Sequence, residues 1–229
     1  MGKPVGAAYR AVVLSALLVL LLPYALAPLY RFVNPISALM LWRWIRGTPV
    51  ERAWIPLEGI SAALPHSVIA AEDDRFCTHH GVDFRELREA IEAEVRGSRR
   101  PRGGSGITQQ LAKNLFLWPG RSYVRKALEI PLALWIDLVL SKRRQIEICL
   151  NIVQWGPGGE FGAEAGARRA FMKSASSLSP QQSAMMAAIL PNPLRRDPAK
   201  PSARLHQLAS VIAARASSER DNEQCIRAR

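Results

Sequence analysis

Residues 11 to 30 carry no charge, and only Ser15, Pro23 and Pro28 interrupt an otherwise apolar run. At about 1.5 Å rise per residue, a helix of this length crosses the ~30 Å hydrocarbon of a bilayer. Beyond it the apolar positions recur with helical period. Phe84, Leu87, Ile91 and Val95 share one face of a helix that Gly97 stops. Ile107, Leu111 and Leu115 form the buried stripe of the next, with Ser105 as its cap. Ser122 caps a helix through Val124, Leu128, Leu132, Trp135 and Val139, with a kink expected at Pro131. Ser141 opens another, with Ile146, Leu150 and Val153 inward. The Ala- and Gly-rich stretch 160–171 predicts a closely packed helix. Ser179-Pro180-Gln181-Gln182 is a capping box with proline at the first helical position, and the helix it opens stops at Pro191. A last helix is expected over 203–216. No strand pattern or long repeat appears, so the fold class is all-α.

The same pattern divides the chain. A short N-terminus (1–10) precedes the anchor (11–30). A membrane-proximal lead-in (31–66) follows, where Pro35, Pro49, Pro56 and Pro65 break long helices. The main domain spans 67–200, and 201–229 holds the last helix and a charged tail. Ala25-Leu26-Ala27 has the form of a signal-peptide cleavage site, but Pro28 directly after it favours a retained anchor. Lys3 and Arg10 precede the anchor and Arg31, Arg43 and Arg46 follow it, so charge does not orient it. Trp42 and Trp44 among these arginines suit a helix at headgroup level, or one packed on the domain.

Net charge, +12 over 229 residues, calls for an anionic partner. It is concentrated. No acidic residue occurs between Glu94 and Glu129, while Arg96, Arg99, Arg100, Arg102, Lys113, Arg121, Arg125 and Lys126 do. Within this stretch the turn Gly103-Gly104-Ser105-Gly106 opens a polar helix. Gln109 and Lys113, then Gln110 and Asn114, are i, i+4 pairs that make two columns of donors, suited to phosphate and sugar oxygens. Upstream, Ser67 to Glu72 reads as a buried helix ending on a carboxylate, whose pKa desolvation raises toward that of a general base. His79 and His80 lack metal-pair spacing and read as structural hydrogen bonders. Cys77, Cys149 and Cys225 show no metal spacing either. Three free thiols are the expectation, with one pair left open.

Together these segments resemble the family-51 glycosyltransferases. Glu72-Asp73-Asp74-Arg75-Phe76 with His79, Gly81 and Asp83 is similar to the first family motif, and 103–114 to the second. Arg125-Lys126-Ala127-Leu128-Glu129, continuing to Ser141-Lys142 and Leu150-Asn151, resembles the third; 156–171 and 178–193 resemble the fourth and fifth. With one anchor and no length for a further catalytic domain, the likeness is to the monofunctional peptidoglycan transglycosylases. It implies a lysozyme-like helical domain with a smaller membrane-contacting lobe. It implies polymerisation of lipid II into β-1,4-linked glycan on the periplasmic face of the bacterial inner membrane.

By the same resemblance Glu72 is the base, and Lys113 and Arg121 neutralise the leaving diphosphate. Ser105, Gln109, Gln110 and Asn114 orient phosphate and sugar, with Asp73 and Arg75 in support. Glu129 either orders the basic cluster or helps to hold a divalent ion such as Mg²⁺ at the diphosphate. No organic cofactor is implied. The implied partners are lipid II, the growing strand, membrane lipid and other cell-wall synthesis proteins, with no nucleic acid. Four positions depart from the pattern. Gly106 stands in place of the usual Thr, which should loosen the loop; Asp137 replaces a common Glu, and Cys149 and Ala170 replace common tyrosines. The rival readings are a hydrolase of the same fold, a catalytically weak scaffold and a tethered nucleic-acid binder. The last lacks stacking aromatics among its cations.

Overall fold

The computed structural model describes residues 4–97, 105–120, 122–218 and 224–227. Among these, ten α-helices carry the fold. They are α1 (Pro4–Leu29), α2 (Ala38–Ile45), α3 (Ala63–Glu72), α4 (Phe84–Val95), α5 (Ile107–Phe116), α6 (Tyr123–Val139), α7 (Lys142–Ile152), α8 (Ala163–Phe171), α9 (Pro180–Ile189) and α10 (Ala203–Ser218). Among the described residues the strand structure is a two-residue parallel pair, β1 (Glu51–Arg52) with β2 (Glu160–Phe161), and a single antiparallel bridge from Gln154 to Phe161. The pair ties the lead-in to the loop before α8, and it is too short to leave an alternating pattern.

Local chemistry explains most helix starts. Ser122, Ser141 and Ser179 each accept a bond from the backbone N–H three residues on, and Gln182 closes the capping box at α9. Pro65 does not exclude helix, as the proline count had it. It lies in the first turn of α3, where no intrahelical N–H is needed. Helix α6 runs without interruption through Pro131, as one helix.

Helix α7 is the centre. Residues from Gln145 to Ile152 are buried all round apart from Glu147, as in a core helix. Against it lie α5 and α8, while α3 packs on α9 and α10. Trp155, Phe76 and Phe161 are the largest fully buried side chains. Close packing of α8 holds as expected: a Cβ on Gly166 would meet the Trp155 side chain at 2.5 Å. By contrast, the apolar face of α4 is not a core face, since Phe84, Ile91 and Val95 are exposed.

Helix α1 is apolar over Gly6–Leu29, with mean hydropathy 2.4 and 6% burial. It meets the domain at one end only. Trp135 Nε1 donates to Tyr24 O at 3.0 Å, and Arg144 donates to Tyr30 O, Val33 O and Asn34 Oδ1 at 2.8–2.9 Å. In α2, Met40 is buried while Leu41, Trp42, Trp44 and Ile45 face outward.

The expectation of three free thiols is corrected. Cys77 and Cys225, 148 positions apart, form a disulfide, and Cys149 remains free and buried. The bridge joins the chain end to the loop after α3, and Arg143 Nη1 holds that end by donating to Ile226 O at 2.6 Å.

Candidate active site

Glu72 is the last residue of α3, and the buried turn before it holds its carboxyl against the protein. Gln110, on α5, donates from Nε2 to Glu72 Oε2 at 2.7 Å and to Ser105 O at 3.2 Å. Burial pushes the Glu72 pKa up; the Gln110 bond and the charges of Lys113 and Arg196 pull it partly back, and Asp73 adds to the rise. A carboxylate in this balance takes up a proton readily and is still ionised when the pH is high enough.

Lys113 is near enough to both Glu129 and Glu72 to feel their charges. Burial, foremost, lowers its pKa, and neighbouring Arg125 adds to this. The two glutamates that the resemblance paired therefore both act on one lysine. Glu129 is buried on α6. Arg125 Nη1 donates to its Oε1, and Lys126 Nζ lies 3.5 Å from its Oε2. Lys126 also reaches Ser105 Oγ, and burial lowers its pKa. Both Glu129 oxygens are thus engaged by cations, and no group of three or more His, Cys, Asp or Glu gathers among the described residues. The described residues alone do not make a complete divalent-ion site. The contacts of Glu129 with Arg125 and Lys126 order the cations.

From Lys113 a groove of about 390 Å³ opens along Asn114, Leu117, Trp118 and Arg125, with Leu39 of α2 on its wall. Gly120 also lines it. Arg121, the next residue and a candidate clamp, lies outside the described residues, as does the basic loop of Arg99, Arg100 and Arg102.

Two expectations need correction. Ser105 does not cap α5; Gly106 is the N-cap residue and offers no side chain. Asp73 does the capping from a distance, its Oδ2 accepting from Ile107 N at 2.8 Å. Its carboxylate also meets His79 Nε2 at 3.0 Å. A Cβ on Gly106 would stand 2.4 Å from Asp73 Oδ2 and 3.1 Å from Cγ. The glycine therefore does not loosen the loop. It gives Asp73 room to dock. Gln109 is the second correction, being 2% exposed, so its amide lies inside the protein and not in a surface column of donors. Neighbouring Thr108 is turned inward onto Gln145 Oε1 at 2.7 Å.

Arg75 gives Nη1 to both oxygens of Asp83, at 3.1 and 2.9 Å, and so shapes the loop after Glu72. Asp137 is absorbed into a buried network, accepting from Gln145 Nε2 at 2.9 Å and pairing with Lys142 at 2.8 Å. Cys149 lies close enough to Glu72 and Lys113 to feel both charges, and burial pushes its thiol up to about 12. It is a floor, not a nucleophile. Sequence reasoning missed Arg196 and Glu86. Burial, with Asp73, Asp83, Asp74 and Glu89 adding charge, raises Glu86 to about 7. No spacing rule relates either residue to Glu72.

Comparison with known proteins agrees with this geometry. A family profile described as Transglycosylase matches residues 40–217. A protein of Nitrobacter winogradskyi named biosynthetic peptidoglycan transglycosylase is 56% identical over 209 residues, 91% of this chain and 92% of its own. One of Rhodopseudomonas palustris with the same name is 55% identical over 218 residues, covering 95% and 92%. One of Brucella suis, also so named, is 44% identical over 228 residues, 99% of both chains. With the matched profile spanning the helices that carry Glu72, Lys113 and Glu129, this chain belongs to the transglycosylase family.

Proposed function

We propose that the protein polymerises lipid II into peptidoglycan glycan strands. One observation carries the reading. A partly buried carboxylate of raised pKa, Glu72, sits beside a lysine that opens into a cationic groove. Glu72 takes the proton of the acceptor GlcNAc 4-hydroxyl. That oxygen bonds to C1 of the donor MurNAc as the C1–O bond to the diphosphate breaks, and the bonding pair stays on the diphosphate. Attack from the opposite face inverts C1 and gives the β-1,4 link. The diphosphate already leaves well, so the second carboxylic acid that a glycosidase uses is dispensable. Lys113 and Arg125, with Arg121 by resemblance, stabilise the charge that develops there. Asn114 orients the donor, and Gln110 aims the base. Asp73, Arg75 and Ser105 hold the loop and the α5 start. A hydrolase acting on finished glycan would have no use for this clamp.

Helix α1 anchors the protein in the cytoplasmic membrane, with the domain on the periplasmic side. The Cys77–Cys225 bridge supports that side, because disulfides persist in oxidising compartments. Purified protein given lipid II in detergent should make long chains, and Glu72→Gln should abolish them with the helical content unchanged. The raised pKa means that Glu72 favours the fold below its unfolded pKa and loses that contribution as pH rises through its folded pKa. The Gln variant should therefore melt no lower than the parent at neutral pH. Undiminished polymerisation by it removes Glu72 as the base.

A further inference from the structure

The reaction above uses one groove, and the protein has a second. The second, about 330 Å³, lies between the end of α9 and the start of α10. Arg195, Arg196, Lys200 and Arg204 line it over Leu205, and Asp197 is its one acid. That acid is already neutralised, since Arg169 holds both its oxygens at 3.0 and 3.3 Å. Arg195, Lys200 and Arg204 are exposed and make no ion pair with a described residue. Three exposed cations thus line one concavity. The frame under them is stiff: Arg195 N and Arg196 N both donate to Asn192 O, and Ala199 N donates to Asp197 Oδ1. Arg196 gives Nη1 to Ala188 O at the end of α9, and its charge reaches Glu72. One residue lining the groove, Arg196, is thus near enough to Glu72 for its charge to act on the base, and the groove shares no lining residue with the diphosphate clamp.

We propose that this groove binds the carboxylates of the short peptide carried by the substrate's muramic acid, on the acceptor side of Glu72. The inference rests on the function proposed above. Guanidinium forks match carboxylates in bidentate geometry, as Arg169 and Asp197 show at the groove edge. A lipid-held diphosphate fits less well. The groove walls pack on α3, whereas the lipid-facing α1 and α2 pack on α6 and α5. A diphosphate must stay at headgroup depth, but a peptide on the sugar can reach outward.

The test is calorimetric titration of the full chain in detergent with a soluble, lipid-free disaccharide-peptide. The same compound with its carboxylates amidated serves as comparison. The free carboxylates should bind at least tenfold tighter, and the preference should weaken with salt. Arg195→Gln/Lys200→Gln/Arg204→Gln should bring the two compounds to equal affinity at unchanged melting temperature, and Lys200→Gln alone should narrow the gap in part. Equal binding of both compounds by the parent protein overturns the proposal. So does full discrimination by the triple variant, or displacement of the compound by inorganic diphosphate at matching affinity. No turnover is needed, so this outcome is separate from any failure to polymerise lipid II.

Discussion

A single methyl group at position 106 should unsettle the loop that carries the base. Built on Gly106, it would stand 2.4 Å from Asp73 Oδ2. Ordinary contact needs about 1 Å more, and the carboxylate is pinned by Ile107 N at 2.8 Å and His79 Nε2 at 3.0 Å. A shift of that size takes both bonds past useful length. Each bond to a charged group is worth about 1.5–3 kcal/mol, and the α5 cap belongs to the same set. Allowing for partial relaxation, Gly106→Ala should cost about 2–3 kcal/mol. For a chain of this size that lowers the melting temperature by about 4–12 °C. Thermal unfolding followed by circular dichroism in detergent reads it. The same substitution in an Asp73→Ala background should cost under about 0.5 kcal/mol, because the displaced group is gone. A shift below about 1 °C in the parent, or the full loss in the Asp73→Ala background, refutes the reasoning.

Other consequences follow from the same contacts. Gln110 favours ionised Glu72, so Gln110→Ala should raise the Glu72 pKa further and move the acid limb of kcat/KM to higher pH. Glu86→Gln should leave that limb in place, although Glu86 itself titrates at about 7. Glu129→Ala leaves Arg125 buried without its partner and should destabilise the fold by about 3–5 kcal/mol, measured by thermal or urea unfolding. Cys225→Ser opens a loop of 148 positions and should lower stability by up to about 5 kcal/mol. Reductant should do the same to the parent and nothing further to the variant, while Cys149 resists alkylation until the protein unfolds.

The sequence by itself determined most of the helices and several of their starts. Caps at Ser122, Ser141 and Ser179 and the stripe of α5 are interactions between residues three or four apart, and local periodicity displays them. It also marked the apolar helix and the acid-free cationic stretch, because both are continuous in the chain. Only the tertiary structure decided what those residues meet. Asp73 caps a helix 34 positions away, Gln110 aims Glu72 from 38 positions away, and Cys225 closes on Cys77 from the far end. Glu72 and Glu129 both act on Lys113 only when α5 is packed on α6 and α7, and α3 on α9 and α10. The role of Gly106 reads as looseness in the chain and as room for a carboxylate in space. Contacts of this range leave no periodic trace, because they depend on how buried faces fit against one another and not on which residues lie next in line.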